Sequence, residues 1–228
     1  MATPFKWLLF DADNTLLDFS KAGKEALWQT YTDFGHTCTD AIYGAYKICN
    51  ARAWTAFEQG QITAERLRVQ RFAELFHVFE AEPAPPSLFS KRFLENLVAV
   101  SEAYEGIPDL LATLQTRYRM GIITNGLKEV QRPRLARLQL DRFFDTIVVS
   151  DEIGVAKPQE AFFQYALDQI GVIPKTEVLV IGDSLHSDIL GAQQFGIPTC
   201  WVSHGKTNET DIQPTFTVAQ VHDIMDLL

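Results

Sequence analysis

Hydrophobic residues follow two different patterns along the chain, and the pattern changes near residue 105. Between about residues 20 and 103 they recur every three or four positions, which is the spacing of an amphipathic helix. This pattern predicts four helices, over residues 20–34, 39–57, 63–79 and about 88–100. Prolines within residues 82–86 separate the last two, because proline cannot continue a helix. We therefore expect an all-helical segment here.

The rest of the chain alternates short apolar runs with helical stretches, which indicates parallel strands joined by helices. The predicted strands cover residues 5–10, 120–124, 146–150, 178–182 and 199–202, and the predicted helices cover residues 108–118, 127–139, 158–170, 186–195 and 219–227. The strand at 5–10 belongs with the later strands. We therefore predict an α/β core with a Rossmann-like, doubly wound parallel sheet, made of residues 1–17 and 104–228, and an inserted helical domain, residues 18–103.

The composition limits the classes of function. The 228 residues are 46% hydrophobic, and 20 Lys and Arg against 29 Asp and Glu leave a formal net charge of −9. This charge disfavours binding to nucleic acid polymers or to an acidic membrane. Cys38, Cys49 and Cys200 form no CxxC pair, so neither a disulfide framework nor a zinc site is predicted. Because no signal or membrane-spanning pattern is visible, we expect a cytoplasmic protein; its oligomeric state stays open.

Polar residues follow four of the predicted strands at the point where each strand ends. They are Asp11 and Asp13 after the first strand, Thr124 and Asn125 after the second, Lys157 after the third, and Asp183 and Asp188 after the fourth. Any one of these groups could be an ordinary turn or helix cap. In open α/β sheets, however, ligands bind at the carboxyl ends of the strands. We therefore interpret the four groups together as one candidate site.

These positions lie in four short motifs. The motifs are Asp11-Ala12-Asp13-Asn14-Thr15, Ile122-Ile123-Thr124-Asn125-Gly126, Val155-Ala156-Lys157-Pro158 and Gly182-Asp183-Ser184-Leu185-His186-Ser187-Asp188. In this order and spacing they resemble the motifs of haloacid dehalogenase superfamily phosphatases, and the helical insertion is similar to the cap domain of that superfamily. Within the superfamily, the sequence most resembles the cytoplasmic, house-cleaning 5′-nucleotidases that hydrolyse pyrimidine nucleoside monophosphates. The segments that carry this resemblance are Phe10-Asp11-Ala12-Asp13, residues 152–158, Thr199-Cys200-Trp201, Trp54 and residues 60–63.

The resemblance implies a role for each motif residue. Asp11 would be the nucleophile that forms an aspartyl phosphate, and Asp13 would be the general acid and base. Magnesium would be held by the Asp11 carboxylate, the backbone carbonyl of Asp13 and the Asp183 carboxylate, and Asp188 would hold a metal-bound water. The remaining motif residues, Thr124, Asn125 and Lys157, would bind the phosphoryl oxygens of a small phosphate monoester.

Other reactions of the superfamily stay open to different degrees. A dehalogenase needs no acid for its leaving group and a phosphonate hydrolase uses a cap lysine for a Schiff base; relatives of both kinds usually lack the second Asp of the first motif, so Asp13 argues against both. A phosphatase or phosphomutase acting on a sugar phosphate or another small metabolite shares all four motifs. A non-catalytic binding module is disfavoured because Asp11, Lys157 and Asp183 are all present.

The helical insertion should decide the substrate, although its sequence is less explicit. Asn50 and Trp54 are the candidate specificity residues, because an amide and an indole could contact a base. Aromatic residues at helical spacing are more often core residues, and this is also the simpler interpretation of Tyr46 and Phe57. The arginines of the segment, Arg52, Arg66, Arg68 and Arg71, are expected mostly on a solvated face, with at most one contacting substrate.

Overall fold

The computed structural model describes residues 4–228. Its elements in chain order are β1 (Trp7–Phe10), α1 (Phe19–Asp33), α2 (Asp40–Glu58), α3 (Ala64–Phe79), α4 (Pro86–Val100), α5 (Ile107–Gln115), β2 (Arg119–Thr124), α6 (Lys128–Arg137), β3 (Thr146–Val149), α7 (Ser150–Ile153), α8 (Glu160–Ile170), β4 (Val178–Gly182), α9 (Gly191–Gln194), β5 (Thr199–Val202) and β6 (Phe216–Val218). A π-helical turn, Leu185–Leu190, precedes α9, and a 3-10 helix, Val221–Asp226, follows β6.

Within residues 4–228 the six strands form one parallel sheet in the order β3-β2-β1-β4-β5-β6. The chain builds outward from β1 in one direction and then returns to build outward in the other. The switch point therefore lies between β1 and β4, where ligands of such sheets bind. This all-parallel sheet with its helices confirms the predicted fold class.

The two faces of the sheet are buried in separate hydrophobic clusters, as strands of a doubly wound sheet require. On β1, Leu8 and Phe10 pack in the cluster that includes α5, whereas Trp7 and Leu9 pack in the cluster that includes α8. Successive side chains of a strand point to opposite faces of the sheet. Because both faces are covered here, all four apolar side chains of β1 are buried.

Tertiary contacts divide the chain into two units. One consists of the residues up to Asp18, Ala103–Gly126 and Leu135–Leu228, and contains the sheet; the other consists of Phe19–Glu102 and Leu127–Arg134. The domain boundaries expected from the sequence stay predictions. They assigned residues Leu127–Arg134 to the core, whereas the contacts group this segment with the unit that contains α1–α4.

Within the helical unit, α2 packs chiefly against α3, and α1 against α4. Thr39 and Thr63 cap α2 and α3 by accepting hydrogen bonds from the backbone N–H groups of Ile42 and Arg66, which explains why these helices begin there. Aromatic side chains fill the interior of the unit; they include Tyr31, Tyr46, Phe72, Phe76, Phe89 and Phe93.

Two predictions near the carboxyl end were wrong in detail. The strand β6 was missed, and the helix predicted over residues 219–227 is the 3-10 helix Val221–Asp226. The side chains of Gln220 and Asp223 form a capping box at its start, and such short segments give little periodic signal. The helix predicted over 186–195 begins as the π-helical turn and continues as α9. Among the described residues, no helix has the length and hydropathy required to cross a membrane.

Candidate active site

Asp11 and Asp183 lie on neighbouring strand ends at the switch point of the sheet. Asp11 follows β1 directly, and its backbone N–H donates to the carbonyl of Ile181 in β4 at 2.8 Å. Asp183 follows β4 directly. Single carboxylate oxygens of Asp11, Asp183 and Asp188 lie within 4.8 Å of one another. The sheet therefore brings together three acids, of which Asp11 and Asp188 are more than 170 residues apart in the sequence.

Lys157 lies among these acids and is almost fully buried. Its Nζ donates to Asp11 Oδ1 at 2.7 Å, to Asp188 Oδ1 at 2.6 Å and to the carbonyl of Ile123 at 2.7 Å. All three protons of the ammonium group are thus used. Lys157 is fixed between two carboxylates, where its charge offsets part of their repulsion.

The side chain of Asn125 fixes the segment that carries Lys157. Asn125 Oδ1 accepts from the backbone N–H of Lys157, and Asn125 Nδ2 donates to the backbone carbonyl of the same residue, both at 2.8 Å. The peptide bond between Lys157 and Pro158 is cis. This two-bond clamp joins the end of β2 to the lysine segment, and no sequence pattern predicted it.

Asp188 reaches the cluster from the π-helical turn and has both oxygens engaged. Oδ1 accepts from Lys157, and Oδ2 accepts from the backbone N–H of Ser184 at 3.0 Å. Its side chain passes over Gly182, where an added Cβ would lie 2.2 Å from Asp188 Oδ2. Glycine is therefore required at the end of β4 because a side chain there would displace Asp188.

Crowding of the acids shifts their pKa values. Burial raises the pKa of Asp11, the Lys157 ammonium lowers it, and the charges of Asp188 and Asp13 raise it again, to about 7. Burial, followed by the charges of Asp11 and Asp188, raises the pKa of Asp183 to about 8. For Lys157, burial lowers the pKa, but Asp11 and Asp188 outweigh burial and raise it. The site therefore holds more negative charge than one lysine can neutralise.

These residues fit a hard divalent cation. The donors are carboxylate oxygens, which Mg²⁺ prefers, and a divalent charge would relieve the repulsion that raises the two aspartate pKa values. Lys157 occupies Asp11 Oδ1, while no hydrogen bond within residues 4–228 occupies Asp11 Oδ2 or the Asp183 carboxylate. Asp11 and Asp183 are thus the side chains best able to ligate a metal.

Asp13 and Thr124 also lie close to this cluster. Asp13 is half-buried in the loop after β1, where its backbone pairs with Leu17, and its charge contributes to the raised pKa of Asp11. Thr124 is the buried last residue of β2. The proximity of all seven motif residues follows from the strand order, whereas their roles stay predictions.

Two contributors were missed by sequence reasoning. The indole Nε1–H of Trp201, the third residue of β5, donates to the backbone carbonyl of Asp183 at 2.9 Å. Ser150 Oγ accepts from the backbone N–H of Gly126 at 3.1 Å, which ties β2 to the segment after β3. Trp201 had entered the sequence analysis only through the resemblance of Thr199-Cys200-Trp201, and neither side chain is of a type that suggests metal chemistry.

The predicted specificity residues lie on α2 of the helical unit. Asn50 Oδ1 accepts from Arg71 Nη1 at 2.9 Å and from the Tyr46 hydroxyl at 3.4 Å. Trp54 is half-buried and packs edge-on against Phe57 with 5.7 Å between ring centroids. Tyr46 and Phe57 are core residues. Arg71 does not lie on a solvated face, since only 2% of it is exposed.

Comparison with known proteins agrees with this geometry. The sequence profile of the haloacid dehalogenase-like hydrolases matches residues 8–202. Pyrimidine 5′-nucleotidase YjjG of Escherichia coli (strain K12) is 34% identical, covering 97% of this chain and 97% of its own length. Pyrimidine 5′-nucleotidase PynA of Streptococcus pneumoniae is also 34% identical, covering 98% of this chain and 95% of its own. The crystal structure of the putative HAD-hydrolase YfnB from Bacillus subtilis, bound to magnesium, superposes with a TM-score of 0.90 at 33% identity, covering 98% of both chains.

Proposed function

Because this chain belongs to the haloacid dehalogenase-like hydrolase family, as the four motifs predicted, we propose that it is a magnesium-dependent 5′-nucleotidase of pyrimidine (deoxy)nucleoside monophosphates. The substrate proposal rests on the extent of the similarity to two pyrimidine 5′-nucleotidases. The alignments span 97% and 98% of the chain, so they include the helical unit as well as the core. Substrate choice is expected in that unit, because the core motifs are common to phosphatases of many substrates.

In the proposed mechanism the core residues divide the work of phosphoryl transfer. A carboxylate oxygen of Asp11 attacks the phosphorus atom, and the bond to the nucleoside 5′-oxygen breaks as Asp13 protonates that oxygen. Asp13 then removes a proton from the water that hydrolyses the aspartyl phosphate and restores Asp11. Lys157 holds Asp11 in place and offsets the repulsion between the anionic nucleophile and the anionic phosphate.

Two further groups would support the phosphate. The Thr124 hydroxyl and the backbone N–H of Asn125 are proposed donors to the phosphoryl oxygens, since Thr124 ends β2 and Asn125, the next residue, contacts Lys157. Magnesium would be held by the Asp11 and Asp183 carboxylates and the backbone carbonyl of Asp13, and when bound it neutralises phosphate charge. Asp188 keeps Lys157 in place and would hold a metal-bound water.

The proposal also covers partner and location. The partner would be a small phosphate monoester, since the formal net charge of −9 disfavours polyanionic partners. The cytoplasmic location expected from the sequence stays a prediction.

A substrate panel tests the function. Phosphate release is measured from UMP, dTMP, CMP, AMP, ribose 5-phosphate and other sugar phosphates, with Mg²⁺ and with EDTA. We expect the pyrimidine nucleotides to have the highest kcat/KM and EDTA to abolish turnover. Hydrolysis of sugar phosphates with nucleotides ignored would instead favour the metabolite phosphatase, and transfer of the phosphoryl group within a sugar phosphate would favour the phosphomutase.

A matched pair of variants tests the nucleophile. Asp11→Asn should lower kcat by about 1000-fold or more, because an amide cannot form the acyl phosphate. Asp18→Asn, at a half-buried acid of the same loop, is the control and should retain most activity. Substantial turnover by Asp11→Asn would reject Asp11 as the nucleophile.

A further inference from the structure

Arg71 is a buried cation that forms no ion pair with an acidic residue in the described part of the chain. Its guanidinium lies beside the rings of Phe72 and Phe93, with its central carbon 4.9 and 5.3 Å from their centroids. Nη1 donates to Asn50 Oδ1 at 2.9 Å, whereas Nε and Nη2 are buried and have no hydrogen-bond acceptor among residues 4–228. A buried N–H donor without a hydrogen-bond acceptor requires an explanation.

The charge of Glu129, which acts on Arg71, does not supply one. Glu129 acts on Arg71 only at a distance, because both of its oxygens accept hydrogen bonds from Arg68, at 2.5 and 2.8 Å. Burial is the main cause that lowers the pKa of Arg71. A buried charge in this setting contributes little to stability, and an apolar side chain of similar volume is often as stable or more stable. Packing alone therefore does not account for an arginine at this position.

What Arg71 does determine is the orientation of Asn50. Arginine only donates hydrogen bonds, so the side of the Asn50 amide that faces it must be the oxygen. The Tyr46 hydroxyl approaches the same oxygen. Asn50 is half-buried, and no described residue accepts a hydrogen bond from its Nδ2. The part of the Asn50 amide that has no partner among the described residues is consequently a pure donor.

Trp54 lies one helical turn further along α2. Residues four positions apart share a face of a helix, so the Asn50 amide and the Trp54 indole are neighbours on that face. Both are half-buried, whereas Tyr46 and Phe57, one turn before Asn50 and one turn after Trp54 along the helix, are buried. An aromatic surface beside a fixed donor suits a planar ring that carries a carbonyl acceptor.

We propose that Asn50 Nδ2 donates a hydrogen bond to the O2 carbonyl of the pyrimidine base, and that Arg71 is the positioning residue that fixes the amide in the donating orientation. This inference rests on the proposed function. Uracil, thymine and cytosine all carry a carbonyl at position 2, whereas position 4 is a carbonyl in uracil and thymine but an amino donor in cytosine. A donor of fixed orientation can therefore serve all three bases only through O2.

Arginine variants test the positioning role. The ratio of kcat/KM for UMP to that for ribose 5-phosphate, which lacks the base, is measured together with the melting temperature. Arg71→Leu should lower this ratio about tenfold, mainly through KM, without lowering the melting temperature, and Arg71→Lys should recover part of the ratio because lysine is also only a donor. Arg66→Leu, at an exposed arginine of α3, is the matched control and should leave both values near wild type.

Base analogues test the contact itself. Wild-type enzyme should hydrolyse 2-thio-UMP at least fivefold less efficiently than UMP, because sulfur is a weaker acceptor, while 4-thio-UMP should resemble UMP. In Asn50→Ala the penalty for the 2-thio substitution should disappear. An unchanged 2-thio penalty in Asn50→Ala, or an Arg71→Leu variant that loses stability but keeps the UMP ratio, would overturn this inference while leaving the nucleotidase proposal intact. A wild-type enzyme that ignores nucleotides would instead overturn the proposed function.

Discussion

At the scale of single residues, the raised pKa values of Asp11 and Asp183 link protons to metal binding. A cation and a proton compete for the same carboxylates, so Mg²⁺ binding must release protons while the pH lies below about 7 for Asp11 and about 8 for Asp183. We expect the affinity for Mg²⁺ to rise at least tenfold (~10×) between about pH 6 and about pH 8. Calorimetric titration in buffers of different ionisation enthalpy measures both the affinity and the released protons.

The same shifts make the stability of the metal-free protein depend on pH. Asp11 and Asp183 have pKa values near 7 and 8 when folded and about 4 when unfolded, so the folded state binds more protons between those limits. The free energy of unfolding should therefore fall as the pH rises from about 5 to about 8 in EDTA. Asp183→Asn should flatten this fall and abolish stabilisation by Mg²⁺, as measured by thermal unfolding; a fall of equal size in the variant would contradict the shift at Asp183.

At the scale of elements, the end of β4 and the π-helical turn after it form a close contact that allows no side chain between them. Gly182→Ala would place a Cβ 2.2 Å from Asp188 Oδ2 and so displace the carboxylate that helps to hold Lys157. We expect a loss of about 2 kcal/mol in unfolding free energy and at least about tenfold in kcat/KM. Denaturant unfolding and steady-state kinetics measure the two effects.

Gly44→Ala in α2 is the control for this substitution. An added Cβ at Gly44 meets nothing within 4 Å, so this variant should be slightly more stable than wild type, as alanine usually is within a helix. Wild-type activity and stability in Gly182→Ala would show that Asp188 moves aside without cost.

Trp201 shows how a side chain of one strand can act on the neighbouring strand. Trp201→Phe keeps most of the packing but removes the indole donor to the Asp183 carbonyl, so the backbone that carries the proposed metal ligand loses one restraint. We expect the Mg²⁺ concentration for half-maximal activity to rise about threefold to tenfold, with kcat at saturating Mg²⁺ changed less. A fall in kcat with unchanged Mg²⁺ dependence would contradict this role.

At the scale of the whole molecule, the core unit contains all seven motif residues, and the helical unit contains the proposed specificity residues. Hydrogen exchange with and without Mg²⁺ should therefore show slower exchange in the core segments around residues 11–17 and 183–190, with α1–α4 little changed. Asp183→Asn should remove this protection. Protection centred on α1–α4 instead would place the metal away from the proposed ligands.

The sequence by itself determined the elements and the chemistry that recur in simple patterns. A period of about 3.6 residues predicted the four helices of the insertion, because burial of one helix face imposes this period locally, and short continuous apolar runs predicted the first five strands, because both faces of such strands are buried. Order and spacing of the motifs then predicted the family, which the sequence comparison confirms, and the candidate site residues Asp11, Asp13, Thr124, Lys157 and Asp183, whose roles stay predictions. Strand β6 was missed, and the 3-10 helix Val221–Asp226 was predicted as a longer helix, because elements of three and six residues give little periodic signal.

Only the tertiary structure decided which groups restrain one another. The clamp between Asn125 and Lys157, the contact from Trp201 to Asp183 and the closeness of Gly182 to Asp188 join residues from different strands and turns. The position of Arg71 in the helical pattern does not distinguish it from the exposed arginines nearby. The structure nevertheless buries it among aromatic rings, where it contacts Asn50. Local sequence encodes which face a residue occupies, but hydrogen-bond partners and pKa values depend on segments that folding brings together from distant parts of the chain.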